Sequence, residues 1–220
     1  MPEPPDLSRL VDDCTDPAAA QVVQRGYLRW FAKDAAVLDV GCGTGGFLQL
    51  LRESGRRGVG IDSSHAAAAR CRQLGLDVHH GEAFAVLADL ARDGRSFGGV
   101  MLAHVLEHLD GQAAQALLTA IAAVLAPGGT LLVATPNFAN LIVATEVFWL
   151  DPTHVRPYPR QLIERLGRAA GLQVVASFDD PLTTPRRTWW RRAVARCRSA
   201  LGGADRSSPM DAVVVLRKPM

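Results

Sequence analysis

No stretch of this sequence is apolar for long enough to cross a membrane. The longest candidate, LIVATEVFWL, is interrupted at Glu146 and falls well short of the roughly 20 residues a spanning helix needs. Cysteine is scarce, and Cys14, Cys42, Cys71 and Cys197 lack CxxC spacing, which argues against a zinc site or a disulfide framework. Charge of one sign is scarce too, because a net +2 is too small to indicate nucleic acid. The opening MPEPPDLSRLVDD lacks the charged-then-apolar pattern of a secretory signal. There is no internal repeat. These absences lead us to expect a cytoplasmic protein.

What remains is a chain of 220 residues, 48% hydrophobic and 21% charged, enough for one well-buried domain over 1–220 with a loose start at 1–16. Residues 17–33 read as helical. AVLDVGCG is an apolar run ending in glycines, the form of a buried parallel strand. Helical and strand-like segments then alternate: TGGFLQLLRES, RGVGID, SHAAAARCRQLG, LDVHHGEA, FAVLADLARD and FGGVMLA. GQAAQALLTAIAAVLAPGG reads as a helix stopped by Pro127 and two glycines, feeding the strand TLLVATP. PRQLIERLGRAAG is a further helix, and LQVVASF and DAVVVLRKP supply two final strands. Such alternation predicts an α/β, doubly wound sheet with a ligand crevice at the carboxyl ends of its strands. A basic insertion, 181–210, separates the last two strands.

Gly41, Gly43 and Gly46 satisfy G-x-G-x-x-G between a strand and a helix, where glycine permits a sharp turn and close approach of a ligand. Asp62, at the end of the second strand, is placed to accept both hydroxyls of an adenosine ribose. An acid before a helix can also serve merely as a cap. The pattern alone suits dinucleotides and adenosylmethionine equally. Asp39, two residues before the first glycine, favours a cationic ligand over a pyrophosphate.

With VLDVGCGTG, GVGID, GEA and LAPGGTLLVATP in place, the chain resembles the class I S-adenosylmethionine-dependent methyltransferases over roughly residues 22–219. The resemblance implies a Rossmann-like seven-stranded sheet whose last strand is antiparallel, and S-adenosyl-L-methionine as cofactor. It places Asp39, Gly41, Cys42 and Gly43 at the methionine end. Asp62 and Ser63 fall at the ribose, Glu82 and Ala83 beside the adenine, and Ala103 at the edge of the site. Arg25 is positioned to pair with the methionine carboxylate, or else is a solvated helix charge.

LAHVLEHLD follows the fourth strand, where acceptors sit. His104, Glu107 and His108, at i, i+3 and i+4, are expected to share a helical face, and His154 returns to the same rim from FWLDPTHVRPYP. Pro152, Pro157 and Pro159 stiffen that loop. A neutral histidine suits the removal of a hydroxyl proton, which makes His104, His108 and His154 candidate catalytic residues; His108 reads equally as a packing residue. The same histidines with Glu107 could hold a divalent metal.

The wider pattern looks like methyltransferases of bacterial O-antigen and other surface-polysaccharide clusters, which commonly carry Glu where this chain has Gly46. That resemblance implies methyl transfer to a hydroxyl of a sugar, glycan or glycosylated small molecule. A second resemblance, to metal-dependent RNA 2′-O-methyltransferases and ubiquinone-pathway O-methyltransferases, keeps RNA as an alternative. A non-catalytic adenosylmethionine-binding protein is the other. In the insertion, Trp190, Val194, Cys197 and Leu201 form an apolar stripe flanked by arginines. The reading for 186–201 is either contact with an anionic membrane or packing on the domain.

Overall fold

The computed structural model describes residues 17–184 and 208–220. The loose start and most of the basic insertion, including the 186–201 stripe, lie outside the described residues.

Seven strands form a single sheet in the order β3-β2-β1-β4-β5-β7-β6. They are β1 (Val37–Val40), β2 (Gly58–Asp62), β3 (Val78–His80), β4 (Phe97–Ala103), β5 (Leu125–Pro136), β6 (Gln173–Asp179) and β7 (Asp211–Arg217). The first five are mutually parallel, and β7 lies between β5 and β6, antiparallel to both. Among the described residues, seven α-helices accompany them: α1 (Pro17–Tyr27), α2 (Gly46–Glu53), α3 (His65–Gln73), α4 (Ala83–Arg92), α5 (Gly111–Val124), α6 (Leu141–Thr145) and α7 (Arg160–Ala169).

Strand residues point alternately to the two faces, and this divides the core. Leu38, Val100, Leu131 and Val214 pack with Leu117, Ile121 and Ile163 of α5 and α7. Val37, Met101, Leu132 and Val213 pack with Tyr27, Phe47 and Leu51 of α1 and α2. Central strands buried on both faces must be apolar throughout, which is why β1 reads as a continuous hydrophobic run. Asp39 is the exception, and its place in the alternation turns it toward the α1–α2 face.

Two local details depart from the sequence reading. α5 ends at Val124, three residues before Pro127, because proline disfavours the helical conformation in the residue before it. Lys218 Nζ takes the freed carbonyls of Ala122 and Leu125, each at 2.7 Å. The second is the short helix α6, which the sequence reading does not include: Asn140 accepts from the N–H groups of Ile142 and Val143 and so starts it.

The ends of the insertion are fixed to the domain. Asp180 donates its N–H to the Asp211 carbonyl at 2.8 Å, and Asn140 Nδ2 donates to the Ser208 carbonyl at 2.8 Å. Tyr27 donates its hydroxyl to Asp180 Oδ2 at 2.6 Å, tying α1 to the turn after β6. Burial, reinforced by Asp180, pushes the Tyr27 hydroxyl far above its usual range.

Candidate active site

The carboxyl end of β1 turns through three left-handed glycines, Gly41 (φ 76°), Gly43 (φ 52°) and Gly45 (φ 86°). A Cβ at Gly41 would stand 2.6 Å from Val105 Cγ2, so that position is sterically closed to any side chain. Beside Gly43 nothing lies within 4 Å of where a Cβ would be, leaving the loop open to a ligand on that side. The sequence pattern counted Gly46 as the third glycine. It is Gly45, however, that takes the strained conformation as it starts α2.

Asp62 closes this loop onto β2. Its Oδ2 accepts from the Gly43 N–H at 2.7 Å and its Oδ1 from the Ser64 N–H at 2.8 Å. Asp39 lies beneath, 4% exposed. Burial, with the nearby Asp62 charge adding to it, pushes the Asp39 carboxyl up to about 7. A cation brought beside that carboxyl would favour its ionised form. Burial and Asp39 likewise push the Cys42 thiol up, which keeps it unreactive.

The crevice beside the loop is lined by Gly41, Asp62, Ser63, Glu82, Ala83 and Val105. Phe84, 40% exposed, also faces it and was missed in the sequence, where it reads as one apolar residue of a helix. Ala103 ends β4 in register with Ala134. Arg25 stands apart: its guanidinium pairs with Glu53 at 2.9 Å, and both side chains are more than half exposed.

The rim beyond β4 is arranged differently from the expected helical face. His104 takes φ 55°, the one positive value among the described non-glycine residues, and donates its N–H to the Ala134 carbonyl. That backbone turn removes it from the 3-10 turn Leu106–His108 and separates its ring from that of His108. Its imidazole instead bridges two acids, with Nδ1 3.2 Å from Glu107 Oε1 and Nε2 3.6 Å from Asp211 Oδ2. Desolvation opposes the charged ring, but Asp211 and then Glu107 outweigh it and hold the imidazole well above its ordinary value.

Glu107, His108 and His154 do converge, each offering a ligand atom within 4.8 Å of the others. The His108 and His154 rings are 4.8 Å apart. Glu107 is 1% exposed, and its Oε2 is buried without a hydrogen-bond partner.

Both imidazoles are held in one tautomer by their neighbours. Thr153 donates its hydroxyl proton to Asp151 Oδ1 at 2.6 Å, so at 2.9 Å it can only accept from His108 Nδ1. A carbonyl likewise only accepts, so His154 Nδ1 donates to the Phe148 carbonyl at 2.7 Å. Each ring therefore keeps Nε2 as its basic nitrogen. Asp151 is desolvated, but hydrogen bonds from Thr153 outweigh that and hold its carboxyl below the usual range. Neither Asp151, Thr153 nor Asp211 was singled out in the sequence.

A family model described as a methyltransferase domain matches residues 16–177. The chain belongs to the class I S-adenosylmethionine-dependent methyltransferases. A probable S-adenosylmethionine-dependent methyltransferase of Mycolicibacterium smegmatis is 34% identical over 140 residues, 63% of this chain. This chain spans about half, 52%, of that relative's length. Among solved structures, a SAM-dependent methyltransferase from Archaeoglobus fulgidus shares the fold at a TM-score of 0.75 and 24% identity, covering 92% of this chain and 95% of that one. Magnesium protoporphyrin IX methyltransferase from Synechocystis, with bound SAH, aligns at a TM-score of 0.63 and 14% identity, over 91% of this chain and 84% of its own.

The cofactor of this methyltransferase is S-adenosylmethionine. The open flank of Gly43, the Asp62 carboxylate and the acid buried at Asp39 fit a ligand with a ribose and a cationic amino-acid end.

Proposed function

We propose that this methyltransferase transfers its methyl group to a hydroxyl of a sugar, glycan or glycosylated small molecule. The observation that carries the reading is the meeting of Glu107, His108 and His154 at the carboxyl edge of β4, with both histidines fixed as Nδ1–H tautomers.

When bound, S-adenosylmethionine supplies a methyl group on a sulfonium, a good leaving group. The protein is left with two tasks, to hold the acceptor oxygen in line and to remove its proton. His108 Nε2 takes the proton as the carbon–oxygen bond forms and the carbon–sulfur bond breaks. The Thr153–Asp151 pair behind Nδ1 stabilises the resulting imidazolium, as a carboxylate does behind a histidine base. His154 and Glu107 position the acceptor. Asp39 and Asp62 hold the cofactor's methionine and ribose ends.

A divalent metal fits the same residues. The orphaned Glu107 Oε2 and two imidazoles, each donating its other nitrogen to an oxygen, form a suitable donor set. Bound there, such an ion would lower the acceptor hydroxyl's pKa.

The test is methyl transfer from labelled S-adenosylmethionine to a panel of glycosides, with and without chelator. Product methylated at oxygen, lost in His108→Gln, supports the reading. Transfer confined to amine acceptors, or turnover unchanged in His108→Gln, overturns it.

A further inference from the structure

Glu107 is held by both its main chain and its side chain. Its carbonyl accepts from the N–H groups of Val155 at 2.7 Å and Arg156 at 3.3 Å, which ties it to the segment directly after His154. Its carboxylate is buried, with Oε1 3.2 Å from His104 Nδ1 and Oε2 without a hydrogen-bond partner among the described residues. A buried carboxylate oxygen left without a donor is costly, so its retention calls for an explanation.

His104 is itself fixed in a strained place. At φ 55° it occupies the left-handed region that side chains rarely adopt, with its N–H on the Ala134 carbonyl at 2.9 Å. Its Nε2 faces Asp211 Oδ2 at 3.6 Å. Asp211 is anchored in turn at the start of β7: its N–H donates to Thr183 Oγ1 at 3.0 Å and its carbonyl accepts from Asp180 at 2.8 Å. The ring is thus wedged between an anchored acid and Glu107. It engages one oxygen of Glu107 and leaves the other free.

What gathers beside that free oxygen are acceptors. The Nδ1 atoms of His108 and His154 donate to Thr153 and the Phe148 carbonyl, so both Nε2 atoms present lone pairs. Asp151 Oδ2, 3.6 Å from His154 Nε2, adds a further negative charge. Glu107, His108 and His154 each place a ligand atom within 4.8 Å of the others, which is the donor set of a cation. Two imidazoles favour a borderline transition ion such as Zn²⁺ over Mg²⁺, which prefers oxygen.

We infer that His104, braced by Asp211, is a positioning residue and not a ligand, and that it aims Glu107 at a Zn²⁺-class cation held with His108 and His154. His104 acts through Glu107, as the outer hydrogen-bond partner of a ligating carboxylate does. This inference rests on the metal-assisted form of the hydroxyl-acceptor reading.

The test is calorimetric titration of metal-stripped protein with Zn²⁺ and with Mg²⁺, beside melting curves in chelator. His104→Gly removes the ring yet suits the left-handed backbone; His104→Asn also suits it and restores an N–H donor near the place of Nδ1. Wild-type protein is expected to bind Zn²⁺ in preference to Mg²⁺, and Glu107→Gln to abolish that preference. The Zn²⁺ Kd should weaken about 10- to 100-fold in His104→Gly, recover most of the way in His104→Asn, and weaken again in Asp211→Asn. Zn²⁺ affinity that is unchanged in His104→Gly overturns the inference, whatever happens to the melting temperature, because a merely structural ring would alter only the latter. So does wild-type binding that is absent, that favours Mg²⁺, or that survives Glu107→Gln. The expected pattern of Zn²⁺ affinities without methylation at oxygen would instead overturn the acceptor reading alone.

Discussion

The Gly43 amide donates to the Asp62 carboxylate across 2.7 Å, joining the turn after β1 to the end of β2. Asp62 thereby shapes the loop after β1, and in the proposed reading its carboxylate also meets the cofactor's ribose. Asp62→Ala removes both effects. Calorimetry should show S-adenosylmethionine affinity falling by tens-fold or more, on the order of 2–4 kcal/mol. NADH titrated in the same way should give no heat of binding.

Asp39 predicts an unusual pH dependence. Its folded-state carboxyl is raised to about 7, so between the ordinary carboxylate value of about 4 and pH 7 the folded chain holds a proton that the unfolded chain has released. Stability from this group therefore falls as pH rises through that window, by at most about 4 kcal/mol, and levels off above it. Asp39→Asn should raise the melting temperature more at pH 8 than at pH 5. Cofactor affinity of the wild type should rise across the same window, because the cationic methionine end favours the ionised acid. Parallel melting curves and titrations from pH 5 to 8 check both.

Thr153 is the link between His108 and Asp151. Thr153→Val keeps the shape but frees the ring to adopt either tautomer. The expected loss is roughly 10- to 100-fold in kcat with little change in KM. Thr153→Ser should restore most of it. Steady-state kinetics on the two variants decide the point, since a purely structural role would be rescued by valine and not by serine.

Tyr27→Phe leaves Asp180, 2% exposed, without its hydroxyl donor, although the Leu182 N–H still satisfies the other oxygen. The expected cost is about 1–3 kcal/mol, read as a fall in melting temperature of roughly 2–4 °C per kcal/mol. Chemical denaturation of the variant gives the same quantity independently.

The order of strands and helices was legible along the chain because burial writes itself into local periodicity. VLDV lies buried between two helical layers and is apolar apart from Asp39, and the left-handed backbone at Gly41, Gly43 and Gly45 calls for glycine. The place of Asp62 at the end of its strand was read from the glycine pattern itself, and the antiparallel seventh strand followed from the family resemblance. Local pattern could not tell which residues complete the rim. The i, i+3, i+4 spacing of His104, Glu107 and His108 implies a shared helical face, but the left-handed backbone at His104 breaks that face and sends its ring to Asp211, 107 positions away. The pairing of His108 with Thr153 and of His154 with the Phe148 carbonyl likewise depends on how the loop after β5 returns across the sheet edge. Sequence determined which residues must be buried or must turn, because each of those demands acts on the residue itself. Tertiary structure decided proton positions and the grouping of donors, because hydrogen bonds act over about 3 Å between atoms that only the folded chain brings together.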